Sequence, residues 1–360
     1  MPHSSPLLLG LELSGTGIHP ASWRRADSRA EELFSAEYWL DAITAAEDAG
    51  IDFAFLPDSF ALQPVGALGR LDAVAVAARS AAATRRIGLI PQAPVTHTEP
   101  FHLAKAIASL DFATHGRAGW EVTVSPGAEQ AKLFGRKRTQ YEPELWHEAD
   151  EAIEVVTRLW DSWEDDAEIR DAATGRFIDR DKLHYIDFAG THFSVKGPSI
   201  TPRSPQGQPL VAVRADGPHS TRLAVHRADI VRIAAPTLAA AAALRYEVRA
   251  AVTAAGRDAD RVRVLLDIET HLADNADTAA LEVAALEDWS PSAAPKTLRH
   301  IGTPGELRDL FDQAVAECAA DGIVLRPLAL PAALAHLPLL TPTLRGRLGL
   351  PRPANRYAPA

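Results

Sequence analysis

The chain has a single cysteine, Cys318, among 360 residues, so no internal disulfide can form. That scarcity suits a reducing compartment, and the cytoplasm is the expected location. Cys318 falls at the apolar end of a predicted helix and is expected to pack in the core. No uncharged apolar run approaches the about 18 residues needed to cross a bilayer, so no membrane association is expected. The opening Met-Pro-His-Ser-Ser-Pro lacks a basic start and leads directly into an apolar run, which is not a signal-peptide pattern. Basic excess is missing too. The formal net charge is −10, which argues against nucleic acid as a partner, because a phosphate backbone requires a clustered basic face. The one local basic run, Arg136-Lys137-Arg138, reads as a solvated loop. There is no Walker loop, no GxSxG elbow and no CxxC pair. Gly15-Thr16-Gly17 lacks the third glycine of a dinucleotide fingerprint, Pro20 standing in its place.

What the chain does have is a rhythm. Eight short runs rich in branched apolar residues recur: Leu7–Leu13, Phe53–Pro57, Ile87–Pro91, Ala118–Val124, Leu210–Val213, Ile230–Ala234, Val262–Ile268 and Ile323–Leu325. Most are separated by alanine-rich helical stretches, an alternation that implies parallel strands joined by right-handed crossovers. Eight units predict a single α/β domain over residues 1–360, a closed (β/α)8 TIM barrel. Helices are expected over Glu37–Ala49, Asp72–Ala83, Pro100–Ala113 and from about Pro143 to Trp163. Residues 164–207, polar and rich in Pro and Gly, read as an excursion beside the barrel mouth after the strand-four helix. Asn275–Arg299 reads as a second irregular stretch, Thr303-Pro304 opens a further helix, and residues 341–360 form a Pro/Arg-rich C-terminal tail.

Barrel chemistry sits at the C-terminal ends of strands. Asp58 and Ser59, Gln92 and Thr96, Ser125, Arg214 and Glu269 all fall there and converge on one mouth. His97, Glu99 and His102 lie together after strand three, and Glu99 and His102 share the i, i+3 spacing of some metal ligands. His97 precedes the helix, however, so the group reads as surface and capping residues, and no metal is expected.

The local wording at these strand ends resembles the bacterial luciferase-like flavin monooxygenases, in their nitrilotriacetate, alkane and dibenzothiophene-sulfone branch. The matching stretches run in order along nearly the whole chain. They include Gly17-Ile18-His19-Pro20-Ala21-Ser22-Trp23-Arg24, Asp52-Phe53-Ala54-Phe55-Leu56-Pro57-Asp58 and Glu99-Pro100-Phe101-His102-Leu103. Gly116-Arg117-Ala118-Gly119-Trp120, Leu159-Trp160-Asp161-Ser162-Trp163 and Phe193-Ser194-Val195-Lys196-Gly197-Pro198 follow. The resemblance implies a monooxygenase that receives reduced FMN from a separate flavin reductase and oxygenates a small organic substrate with O2. Such chemistry requires a deep, mostly apolar site that loops can close, and residues 164–207 and Asn275–Arg299 are the expected lids.

Carried over by position, the resemblance implies Asp58, Thr96, Ser125 and Trp146 as cofactor contacts. His19 and His97 are the candidate catalytic residues, and a histidine near the flavin is suited to managing protons. A loop-histidine reading of His97 stands beside this one. Trp23, Trp120 and Glu121 are assigned to the substrate pocket. The chain also departs from the family's pattern. Glu121 replaces an asparagine, and Trp146 a tyrosine. The small-residue phosphate nest after strand five is replaced by Arg214-Ala215-Asp216-Gly217-Pro218-His219-Ser220-Thr221, where Pro218 removes a backbone N–H and Asp216 repels phosphate. Arg214 and Ser220 are expected to rebuild the phosphate site. The alternative is a divergent paralogue with weak or no flavin binding, acting as a small-molecule binding or partner protein. A homodimer is expected by analogy, with the alanine-rich Ala73–Ala83 face suited to close helix packing.

Overall fold

Each of the eight apolar runs is a strand, and all of them pair in parallel. They are β1 (Leu8–Glu12), β2 (Phe53–Leu56), β3 (Gly88–Pro94), β4 (Gly119–Thr123), β5 (Leu210–Arg214), β6 (Ile230–Ile233), β7 (Arg263–Leu272) and β8 (Gly322–Pro327). Each strand pairs with the next, and β8 returns to β1 with Leu9 opposite Ile323, closing the expected barrel. Both faces of every strand are covered, which explains why the runs read as near-continuous apolar stretches rather than alternating ones. The computed structural model describes residues 7–339, so the opening hexapeptide and the tail 341–360 lie outside the described residues.

Helices surround the barrel: α1 (Ala36–Asp48), α2 (Ala73–Ala81), α3 (Pro100–Thr114), α4 (Ala128–Phe134), α5 (Glu142–Trp160), α6 (Pro218–Arg227), α7 (Leu238–Ala254), α8 (Ala276–Trp289), α9 (Pro304–Ala316) and α10 (Leu330–His336). Their starts follow local chemistry. Ser35, Asp72, Thr237 and Asn275 each accept a backbone N–H of the first turn, and Thr303 with Glu306 forms a reciprocal capping box. Among the described residues no helix is long and apolar enough to cross a membrane.

Two expectations need correction here. Asn275–Arg299 is mostly the helix α8, because Asn275 caps it and Ala279, Val283 and Leu286 bury one helical stripe. Cys318 is exposed rather than packed, since α9 has ended and the chain turns at Cys318 with a φ of 52°. The small residues Ala73, Ala77 and Ala81 are buried within the chain's own fold.

Residues 164–207 form two small antiparallel hairpins, Glu168–Asp171 with Arg176–Ile178 and Phe188–Ala189 with Ser194–Val195. The excursion is fastened along α5. Trp163 donates to the Ser199 carbonyl at 2.7 Å, and the Glu151 carboxylate accepts from the backbone of Thr191 (2.7 Å) and His192 (2.8 Å). Its far end returns to the start of β4, where Gln206 Nε2 donates to the Ala118 carbonyl at 2.8 Å.

Candidate functional site

Inside the barrel the side chains stack in two kinds of layer. The lower one is apolar, built from Phe55, Ile90, Ala212, Ile230, Leu265 and Val324 of six different strands. Above it lies a layer of charge. Arg232 of β6 is fully buried, with its guanidinium 4.5 Å from the centre of the Phe55 ring. Its Nε donates to Asp267 at 2.9 Å, Nη1 to Glu121 at 3.0 Å and Nη2 to Glu12 at 2.6 Å. Arg214 and Arg326 also pair with Glu12, and Arg299 pairs with Glu269. Gln92 donates to Glu121 at 2.8 Å while its carbonyl accepts the Asp58 backbone N–H at 3.0 Å.

The layer balances its charge. Glu12, Glu121, Asp267 and Glu269 face Arg214, Arg232, Arg299 and Arg326. Burial opposes ionisation of Glu12, but Arg214, Arg326 and Arg232 overcome it and hold the carboxyl well below its ordinary range. Burial likewise works against the Arg232 cation, and Asp267, Glu121 and Glu12 outweigh it, raising its pKa. Arg299 leads outward, 3.8 Å from Glu287, which faces His19 Nε2 at 3.4 Å.

The residues expected from the sequence fall into different surroundings. Asp58 accepts the Ser59 N–H at 2.7 Å and the Ala73 N–H at 3.0 Å, so it ties the loop after β2 to the start of α2. Burial raises its pKa against those bonds. Thr96 Oγ1 accepts the Ser125 N–H at 2.9 Å, drawing the ends of β3 and β4 together, and Ser125 Oγ is buried with no partner among the described residues. His97 stacks on Phe134 of α4 with ring centres 4.7 Å apart, and both its ring nitrogens are buried and without a partner among the described residues. Burial and the nearby Lys137 lower its pKa, with Glu148 opposing, so the imidazole is neutral near pH 7. His19 accepts the Ala21 N–H at Nδ1 (3.1 Å), and burial lowers its pKa despite Glu287.

Four of the expected residues already have protein partners in this geometry. Trp120 points outward from β4, packs edge-on against Trp160 and donates to the Ala93 carbonyl at 3.1 Å, so its ring is engaged in packing. Glu121 faces inward, yet it is buried and spent on Arg232 and Gln92. Arg214 turns into the charge layer rather than toward an external phosphate. The Ser220 hydroxyl is fully buried and closes its own loop, accepting from Asp216 and Gly217 N–H groups and donating back to Asp216 (2.9 Å). Trp23 is 45% exposed, on the surface. Trp146 is half-buried between α5 and α6.

Two cavities adjoin these elements. One of about 270 Å³ opens between the loops after β1 and β2, lined by Leu13, His19, Trp39, Leu56, Leu71 and Arg70. Gly17 shapes its wall: φ is +135° and a Cβ there would lie 2.3 Å from the Leu328 carbonyl oxygen. Arg70 makes no ion pair among the described residues, and its Nε is buried without a partner. Burial lowers its pKa, with Asp58 opposing. The second cavity, about 450 Å³, lies between α5 and α6 and is lined by Trp146, His147, His219, Arg222 and Arg227. Arg227 is held by Asp150 at 2.6 Å and by Glu154, whereas Arg222 is exposed and forms no ion pair among the described residues.

Sequence reasoning missed Arg70, Arg232 and Arg326. A single charge inside an apolar run, as in Ile230-Val231-Arg232-Ile233, was the visible signal for the buried layer.

The family model described as luciferase-like monooxygenase matches residues 17–323. N-acetyl-S-(2-succino)cysteine monooxygenase of Bacillus subtilis is 33% identical over 78% of this chain, and the match spans 64% of that protein. One of the pristinamycin IIA synthase subunits of Streptomyces pristinaespiralis is 31% identical over 88% of this chain and 90% of its own length. Among solved structures, a long-chain alkane monooxygenase superposes with a TM-score of 0.84 at 20% identity, covering 97% of this chain and 93% of that one.

Proposed function

The chain belongs to the luciferase-like monooxygenase family, and from that premise we propose that it is the oxygenating component of a two-component monooxygenase. It takes reduced FMN from a separate flavin reductase and oxygenates a small organic substrate with O2. It works in the cytoplasm as a homodimer. When bound, FMN supplies the electrons that activate dioxygen, while the protein supplies binding, orientation and exclusion of water.

The observation that carries this reading is the cavity at the β1 and β2 ends, with Arg70 unpartnered in its wall. An apolar recess with one free guanidinium suits a small substrate bearing a carboxylate or comparable anion. The fit to FMN is supported by buried polar atoms awaiting partners, Ser125 Oγ and the two nitrogens of His97. Ser125, Thr96 and Asp58 would hold the polar edge of the ring, and neutral His97 would accept or return a proton at one ring nitrogen. The phosphate would be held by Arg222 and His219 at the start of α6, beside Trp146, since Arg214 and Ser220 are already committed.

Titration of the purified chain with FMN and, anaerobically, with reduced FMN tests the proposal. Saturable binding of one flavin per chain, weakened about tenfold by Arg222→Ala, supports it. Failure of both forms to bind sinks it.

A second reading is a partner protein without turnover. It is favoured by the closed charge layer and by a relative whose name is that of one subunit in a synthase. Under it, neither flavin binds the isolated chain.

A further inference from the structure

We propose that His147, Glu151 and His192 form a binding site for a divalent transition metal of the zinc class, on the outer face of α5. His147 and Glu151 stand four residues apart on one face of that helix, and His192 comes from the tip of the excursion between α5 and β5. One donor atom from each of the three lies within 4.8 Å of the other two. His147 Nδ1 and His192 Nε2 are 3.3 Å apart, and the other nitrogen of the His147 ring, Nε2, is 3.8 Å from Glu151 Oε1, so the ring lies between the other two donors. Zinc–nitrogen bonds of about 2.0–2.1 Å place two ligands of a tetrahedral ion about 3.3–3.4 Å apart, which the two imidazoles already match.

The surroundings position these donors. Glu151 accepts the backbone N–H groups of Thr191 and His192, so the excursion tip is fixed before any ion arrives. Carboxylate oxygens retain further lone pairs for a metal. The buried Glu148 carboxylate lies 3.8 Å from His192 Nδ1 and favours a proton there, which leaves Nε2 to ligate. His147 is exposed and lines the cavity between α5 and α6, so an ion can enter from solvent. Two imidazoles and one carboxylate favour zinc, nickel or copper over magnesium and calcium, whose preferred ligands are oxygens. Three protein ligands leave a position for water facing that cavity.

The test uses the full chain, stripped with a chelator and dialysed, titrated calorimetrically with ZnCl2 and followed by its visible spectrum with CoCl2. The expected result is one ion per chain, with His147→Ala and His192→Ala each weakening Zn2+ at least tenfold and His184→Ala leaving it unchanged. A four- or five-coordinate Co2+ spectrum should be lost in the His192→Ala protein. No saturable Zn2+ binding, equal affinity in both histidine variants and wild type, or equally tight binding of Mg2+ would each overturn the site.

Discussion

Arg232 Nη1 lies 3.0 Å from Glu121 Oε1 at the centre of the barrel, with side-chain exposures of 0% and 1%. The pair belongs to a layer in which each charge neutralises another, so no member can be removed without stranding its partners. Arg232→Met leaves Glu12, Glu121 and Asp267 facing one another without their shared cation. The expected cost is about 3–5 kcal/mol of folding stability, read from denaturant midpoints. A loss below about 1 kcal/mol would mean that water reaches this layer.

The depressed pKa of Glu12 contributes to the loss of stability in acid. The folded chain holds that carboxylate ionised where the unfolded chain protonates it. Its contribution is therefore present above the ordinary glutamate pKa and fades as pH falls through the depressed folded value. Unfolding free energy should drop steadily below about pH 4.5, and charge neutralisation by Glu12→Gln should flatten that slope while lowering stability at neutral pH.

A second pH effect comes from imidazoles kept neutral. Burial lowers the pKa of His19, His97 and His271, so the unfolded chain binds more protons than the folded one just below pH 6.5. Stability should rise with pH through that region and fall as pH drops from 7 toward 5. His97→Phe retains a ring against Phe134 and should reduce the slope, as measured by denaturation at pH 7.5 and 5.5. An unchanged slope would show that His97 takes up protons freely in the folded state.

Trp120 separates packing from binding. Its indole sits between β4 and Trp160, away from the barrel axis. Trp120→Phe loses the bond to Ala93 and some volume, at a cost of about 1–3 kcal/mol. Flavin affinity should not change. A large affinity loss in a stably folded variant would restore Trp120 to the pocket.

The barrel was legible in the sequence because strands buried on both faces need unbroken apolar runs, and the crossover helices carry their own caps. The inward register was not. Short apolar runs do not reveal which alternate set faces the axis, and the partners are far apart: Glu12 meets Arg232 across 220 residues and Arg326 across 314. Position alone put Arg214 at a strand end, but only the geometry reveals that Glu12 claims it. Likewise Ser220 read as a free hydroxyl, although Pro218 at the first turn of α6 tightens a loop whose N–H groups need that oxygen. His192 carried no signal, since its neighbours His147 and Glu151 precede it by some forty residues in a different element.

Arg70 gives the sharpest test of substrate chemistry. Its Nε is buried without a partner among the described residues, in a cavity otherwise lined mostly by apolar groups, so an acceptor is called for there. A charge-assisted bond from an anionic substrate would meet it, worth about 1.5–3 kcal/mol, or roughly 10–150-fold in affinity. Arg70→Met keeps much of the stem volume and removes the charge. The variant should be at least as stable as wild type, because it discards a desolvated cation, and should bind flavin unchanged. Its KM for anionic substrates should rise by that factor while neutral analogues are spared. Equal losses for charged and neutral compounds would show that Arg70 shapes the cavity without recognising charge.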